Sequence, residues 1–142
     1  MLDDRQLRII LQNSRTIAMV GMSADPDRDS YALASFLQRH GYRVIPVNPQ
    51  LKHDVLGEKP YPTLRSVPDH VDIVSIFRRA EHVPAIVDDS VAICADVIWM
   101  PLGVINQAAA VRARAAGVAV EMDRCIAIEH RRLMHVPEGL SL

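Results

Sequence analysis

The first residues with chemistry to offer are Gly21-Met22-Ser23-Ala24-Asp25-Pro26-Asp27-Arg28-Asp29-Ser30, which follow the apolar run 16–20. A strand, a glycine, a polar loop and a helix start together make an anion site. The helix N-terminus leaves N–H groups unpaired and carries partial positive charge, which attracts phosphate. Gly21 lets the backbone turn tightly and approach a ligand closely. The dinucleotide fingerprint G-x-G-x-x-G is absent: Ser23 stands at its second glycine and Pro26 at its third. Asn48 and Pro49 follow the next apolar run, where an NAD-binding chain carries an acidic residue for the ribose. These departures favour a nucleotide other than NAD or FAD, and no G-x-x-x-x-G-K-S/T sequence marks a P-loop. On this loop alone, a binding loop and an ordinary strand-end loop are equally good readings.

Other groups fall at the ends of the same kind of run. Arg28 lies in the first loop, Lys52 follows the second run, and Arg78 and Arg79 follow the third. Singly each is an ordinary surface charge. Placed together they would neutralise a pyrophosphate and a further phosphate through charge-assisted hydrogen bonds. Phe77 is placed to flank an adenine, and Trp99-Met100-Pro101-Leu102-Gly103 to make an apolar wall with a tight turn, with Trp99 itself buried on the sheet. Cys125 follows the fifth run near a helix start that would lower a thiol pKa; it reads as a small packed residue, or as a thiol able to pair with a thiol cofactor. Cys94 reads as packed on the apolar side of its helix. No catalytic constellation emerges. The histidines, at 40, 53, 70, 82, 130 and 135, form no H-x-x-x-H or H-E-x-x-H pair, so no metal site is expected. His40 ends a helix, where positive charge is favourable.

The elements that must position these groups read as follows. An amphipathic helix is predicted over 3–13, with Leu7, Ile10 and Leu11 on one face. Strands are predicted over 16–20, 42–47, 71–77, 96–100 and 118–122, each a short apolar run buried on both faces. Pro46 is awkward in a central strand. Helices are predicted over 31–40 with Ser30 as N-cap, over 80–95, over the Ala-rich 105–116, and over 123–133. The stretch 48–69, with prolines at 49, 60, 62 and 68, reads as irregular with a helical turn near 63–67. Residues 134–142 read as a fraying tail. Strands alternating with helices imply an α/β fold: a Rossmann-like open parallel sheet of about five strands with helices on both faces. Ligands of such sheets bind at the carboxyl ends of the strands, where strand order reverses.

Bulk composition agrees with one domain spanning 1–142. The chain has 142 residues, 49% of them hydrophobic and 4% aromatic, so its core must be mostly aliphatic. A net charge of −1 offers no basic field for nucleic acid. Two cysteines without metal or redox spacing imply no disulfide framework. No run is long enough to span a membrane and the first residues do not resemble a signal peptide, so a soluble cytoplasmic protein is expected. A homodimer is the prior for a small soluble domain.

Six segments, IAMVGMSADPDRDSY, GYRVIPVNP, LGEKPYPTL, VDIVSIFRR, DVIWMPLGVIN and VEMDRCIAIEHRRL, occur in this order. Together they resemble the small bacterial and archaeal CoA-binding proteins, which are similar to an isolated CoA-binding domain of the succinyl-CoA synthetase alpha subunit. The resemblance runs from about residue 14 to 133. It implies coenzyme A lying across the strand ends. Gly21, Met22, Ser23, Arg28 and Ser30 would hold phosphates or ribose. Val47, Asn48, Pro49 and Lys52 would border the adenosine and its 3′-phosphate. Phe77 and Arg78 would contact adenine or pyrophosphate, and Leu102 and Gly103 would line the pantetheine path. Cys125 matches the Asn-Cys-Pro segment of the synthetase, with Ile126 where relatives often carry proline. The synthetase's phosphorylated histidine belongs to a second domain, and its nucleotide-grasping subunit has no counterpart here. The expectation is therefore non-catalytic binding of CoA or an acyl-CoA. The alternative is a subunit of an acyl-CoA synthetase-type or NADP-dependent enzyme that needs a partner to complete its site.

Overall fold

The computed structural model describes residues 1–134; His135 and the rest of the expected tail lie outside the described residues. The first helix, α1 (Asp4–Asn13), starts at a capping box. The Gln6 N–H donates to the Asp3 carboxylate at 2.8 Å and the Asp3 N–H donates to the Gln6 side chain at 2.9 Å. Its buried residues are Leu7 and Leu11. The chain then alternates: β1 (Thr16–Val20), α2 (Asp29–Arg39), β2 (Arg43–Val47), β3 (Ile73–Ile76), α3 (Val83–Ala92), β4 (Val97–Trp99), α4 (Gln107–Ala115), β5 (Ala119–Glu121) and α5 (Ile126–Met134). Single 3-10 turns at Leu64–Ser66 and Ala80–His82 precede β3 and α3. Met134, expected in the tail, is the last residue of α5. Among the described residues no helix is long and apolar enough to cross a membrane.

All five strands pair in parallel in the order β2-β1-β3-β4-β5, which is the Rossmann-like sheet the alternation implies. Successive strand residues face opposite layers. Ala18, Val20, Val74, Ile76, Ile98 and Val120 pack against α3 and α4, which contribute Val83, Val87, Ala109 and Ala113. Ile17, Met19, Ile73, Val97 and Trp99 pack against α1, α2 and α5, which contribute Leu7, Leu33, Phe36 and Ile126. Trp99 is fully buried there, and its indole N–H donates to the Arg124 carbonyl at 2.8 Å.

Pro46 fits because β2 is an edge strand. The Tyr61 N–H donates to the Pro46 carbonyl at 2.9 Å, whereas the Val47 carbonyl faces β1 and accepts from Gly21 at 2.8 Å. In a parallel strand N–H and C=O of one residue share a side, so the donor that proline lacks points outward, away from the β1 ladder.

Two local expectations need correction. Ser30 is not the N-cap of α2; the helix begins at Asp29 and Arg28 holds the cap position without a side-chain cap bond. Cys94 is exposed in a left-handed turn, φ +58°, beyond the end of α3, because that helix stops at Ala92 before its predicted end.

Candidate cofactor site

Strand order reverses at β1, which lies between β2 and β3, and the crevice at the carboxyl ends of β1 and β3 is where ligands of such sheets bind. Gly21 stands there with φ +84°. A Cβ at this position would lie 2.4 Å from the Phe77 carbonyl oxygen and 2.9 Å from the Arg78 side chain. The end of β1 thus presses directly on the end of β3, and only glycine fits.

The loop beyond Gly21 is fixed by its own polar groups. The Ser23 hydroxyl accepts from the Asp25 N–H at 3.0 Å, and the Asp25 carboxylate accepts from the Asp27 N–H at 3.0 Å. The buried Ser30 hydroxyl accepts from the Ser23 N–H at 3.0 Å, tying the loop to the first turn of α2. This bond is why Ser30 is unavailable as a cap. The start of α2 is left without a side-chain acceptor from its cap residue, so its donors remain available to an anion. They open on a cavity of about 530 Å³ lined by Gly21, Ser23, Asp27, Arg28, Asp29, Ser30 and Phe77. Arg28 forms no ion pair among the described residues, whereas the carboxylates of Asp27 and Asp29 line the same cavity and offset part of its charge.

Two further cavities adjoin this one. A cavity of about 240 Å³ shares Gly21 with it and continues past Val47, Asn48, Pro49 and Leu64. A larger cavity of about 820 Å³ shares Asp29 and Phe77 with it, and holds Arg78, Arg79, Pro101, Leu102, Gly103 and Cys125 in its walls. Arg78 lines both of these outer cavities. Eleven of the thirteen residues named from the sequence therefore line these three cavities, which share Gly21, Asp29, Phe77 and Arg78 in their walls.

The remaining two do not. Met22 is 1% exposed, with its side chain in the core beneath the loop, so it offers a ligand only backbone. Lys52 is exposed and lines none of the three cavities. Asn48 is at the crevice, but its amide serves the protein. Its side-chain nitrogen donates to the Met22 carbonyl at 3.1 Å and its oxygen accepts from the Gln50 N–H at 3.0 Å. It clamps the exit of β2 to the loop after β1.

The far side of the crevice is set by residues that sequence reasoning passed over. The Gly103 N–H donates to the Asp123 carboxylate at 2.8 Å, joining the loops after β4 and β5. Asn106 caps α4 by accepting from the Ala109 N–H at 3.0 Å, and donates to the Ala80 carbonyl at 3.1 Å. An asparagine before an Ala-rich run was a legible N-cap signal. Ser75 is the clearest omission. It lies in β3 within the wall of the 820 Å³ cavity and is fully buried, and its hydroxyl has no hydrogen-bond partner among the described residues. A lone hydroxyl in an apolar strand was its signal in the sequence.

At the far end of α2, His40 packs on Phe36 at 4.2 Å between ring centroids and on His130 at 4.9 Å. Its Nδ1 lies 2.8 Å from the Phe36 carbonyl, so its position at the end of α2 reflects this packing as well as the helix end. Burial, with the neighbouring His40 second, pushes the His130 imidazole below its ordinary pKa.

The chain is thus a Rossmann-like α/β domain with adjoining cavities at the switch point of its sheet. It belongs to the CoA-binding domain family, whose model matches residues 15–131. The Bacillus subtilis (strain 168) uncharacterized protein YneT is 37% identical over 125 residues, covering 88% of this chain and 92% of YneT. The solved structure of a hypothetical protein from Pyrococcus horikoshii OT3 superposes with a TM-score of 0.90 at 35% identity, covering 94% of each chain. The alpha subunit of an ADP-forming acetate–CoA ligase from Pyrococcus furiosus is 30% identical over 84 residues; the match covers 56% of this chain and 18% of that subunit.

Proposed function

We propose that this protein binds coenzyme A or an acyl-CoA across the carboxyl edge of its sheet and carries out no chemistry by itself. The observation that carries the reading is that three neighbouring cavities share Gly21, Asp29, Phe77 and Arg78 in their walls. The loop cavity offers helix N–H groups and Arg28 to a pyrophosphate. The Val47–Pro49 side would take the adenosine, and the edge towards Leu102 and Gly103 the pantetheine. Family membership supports the choice of CoA over other nucleotides. Ser23 and Pro26 in place of fingerprint glycines speak against NAD and NADP, and Asn48 in place of an acidic residue speaks further against NAD.

Thermal shift with CoA, acetyl-CoA and NADPH at equal concentration tests the cofactor. CoA and acetyl-CoA are expected to raise Tm, by about 2.7 kcal/mol of stabilisation at a hundredfold excess over Kd, and NADPH is not. A larger shift with NADPH than with CoA would reverse the assignment. The similarity to a ligase subunit favours a second reading, in which the domain serves a synthetase completed by a partner. A pull-down that captures a synthetase-like partner separates the two, and incubation of the purified chain with acetate, ATP and CoA tests the non-catalytic reading. Unchanged CoA thiol is expected from a binding module, and thioester formation by this chain alone would refute the non-catalytic reading.

A further inference from the structure

The opposite edge of the sheet, where the strands begin, carries its own cluster of donor atoms. His70 and Asp72 precede β3, and Asp96 precedes β4. The backbone sets their spacing. The Asp72 N–H donates to the Thr16 carbonyl at 3.0 Å and the Val97 N–H to the Asp72 carbonyl at 3.0 Å, which holds the starts of β1, β3 and β4 side by side. The Asp72 carboxylate is fixed as well: its Oδ2 accepts from the Arg15 and Thr16 N–H groups at 2.7 and 2.9 Å. The His70 Nε2 lies 3.5 Å from the other oxygen, Asp72 Oδ1, and 3.1 Å from Asp96 Oδ2.

One ring nitrogen therefore stands between two carboxylates. Its N–H directs a single proton and cannot bond well to both oxygens, and an unprotonated Nε2 has only a lone pair to offer them. No second cation intervenes. Among the described residues no Arg or Lys pairs with Asp72 or Asp96, and the Arg15 guanidinium is turned to the Gln12 and Ser14 carbonyls. Elsewhere arginine does this work: Arg43 spans Glu58 and Asp69, and Arg132 spans Asp4 and Glu129.

We propose that His70 Nε2, Asp72 Oδ1 and Asp96 Oδ2 bind a divalent transition-metal ion of the zinc kind, at the sheet edge away from the cofactor cavities. One donor atom from each residue lies within 4.8 Å of the other two. Zinc bonds of about 2.0–2.2 Å at tetrahedral angles set their donors about 3.4 Å apart, close to both distances measured from Nε2. One imidazole nitrogen with two carboxylate oxygens suits zinc better than magnesium, which takes oxygen ligands and keeps its waters. The ion puts two positive charges where one proton is shared. The Arg15 and Thr16 amides orient Asp72 from behind, as outer partners of a ligating carboxylate do. His70 and Asp96 are exposed, which leaves the fourth position to water. Histidine spacing gives no sign of the site, because a single histidine takes part and Asp96 is 26 residues from it.

Isothermal titration of Zn2+ into the untagged chain tests the assignment. One Zn2+ per chain is expected. His70→Ala and Asp96→Asn are each expected to weaken Kd at least about tenfold, the loss of one ligand. Both side chains are exposed, so their replacement leaves the fold intact. Cys94→Ser serves as the control, because that exposed thiol lies close in sequence to Asp96; its Kd is expected to match the parent's. No saturable Zn2+ binding by the parent overturns the proposal. So does a smaller loss in either ligand variant, which would mean that the carboxylates attract cations without a built site. A loss in Cys94→Ser as large as in those variants assigns the ion to the thiol and overturns it as well.

Discussion

At Gly21 the backbone turns left-handed, φ +84°, with the Phe77 carbonyl where a Cβ would be. Gly21→Ala must bear both the left-handed conformation, about 1–2 kcal/mol for an L-residue, and the displacement of the end of β3. The expected outcome is a fall in Tm of at least about 4 °C, read by calorimetry; an unchanged Tm would show that the two strand ends separate freely. The glycine was legible in the sequence because a glycine closing an apolar run has few other uses. The work of its neighbours was not. Ser30 read as a helix cap, but its hydroxyl is taken by the Ser23 N–H across the loop. Asn48 read as a ligand contact, yet both ends of its amide serve Met22 and Gln50. A polar residue near a loop has several partners within reach of its side chain, and only the folded backbone selects one.

Among the elements, the strands were the most legible, because a strand buried on both faces must be written as an unbroken apolar run. Helix ends were less so. The helix expected over 80–95 divides into a 3-10 turn and α3, and that expected from 105 starts at Gln107 after its Asn106 cap. The pairing of α2 with α5 left no trace in local pattern, because it brings together His40 and His130 from distant parts of the chain. This pairing predicts a pH dependence. His130 faces Phe36, Tyr42 and His40, with the Arg131 cation over the same Phe36 ring. Its folded pKa is lowered, so below the ordinary histidine value of about 6.5 the unfolded chain binds the proton first. The stabilisation is complete above that pH and is lost as pH falls through the folded pKa. Thermal melts between pH 7.5 and 5 are expected to show Tm falling, and His130→Phe to reduce the slope. Equal slopes in the two proteins would assign the loss to other groups.

For the molecule as a whole, alternation of strands and helices was enough to predict a parallel sheet, and right-handed crossovers limited its topology. The order β2-β1-β3-β4-β5 places the reversal at β1, and the parallel pairing brings the loops after all five strands to one edge. That convergence is what brings Gly21, Phe77, Arg78 and Gly103, separate in the sequence, into the walls of adjoining cavities. Lys52 comes from a loop at the correct edge, but it lines none of the three cavities.

The central claim, CoA held at the Gly21–Ser30 loop, is tested most directly by calorimetric titration of CoA into the parent and Arg28→Ala. Arg28 is exposed and unpaired among the described residues, so its removal leaves the fold intact. The account predicts saturable binding of one CoA per chain, weakened by roughly 1–3 kcal/mol in the variant, the worth of a charge-assisted phosphate contact. No saturable heat in the parent, or equal affinity in the two proteins, would contradict it.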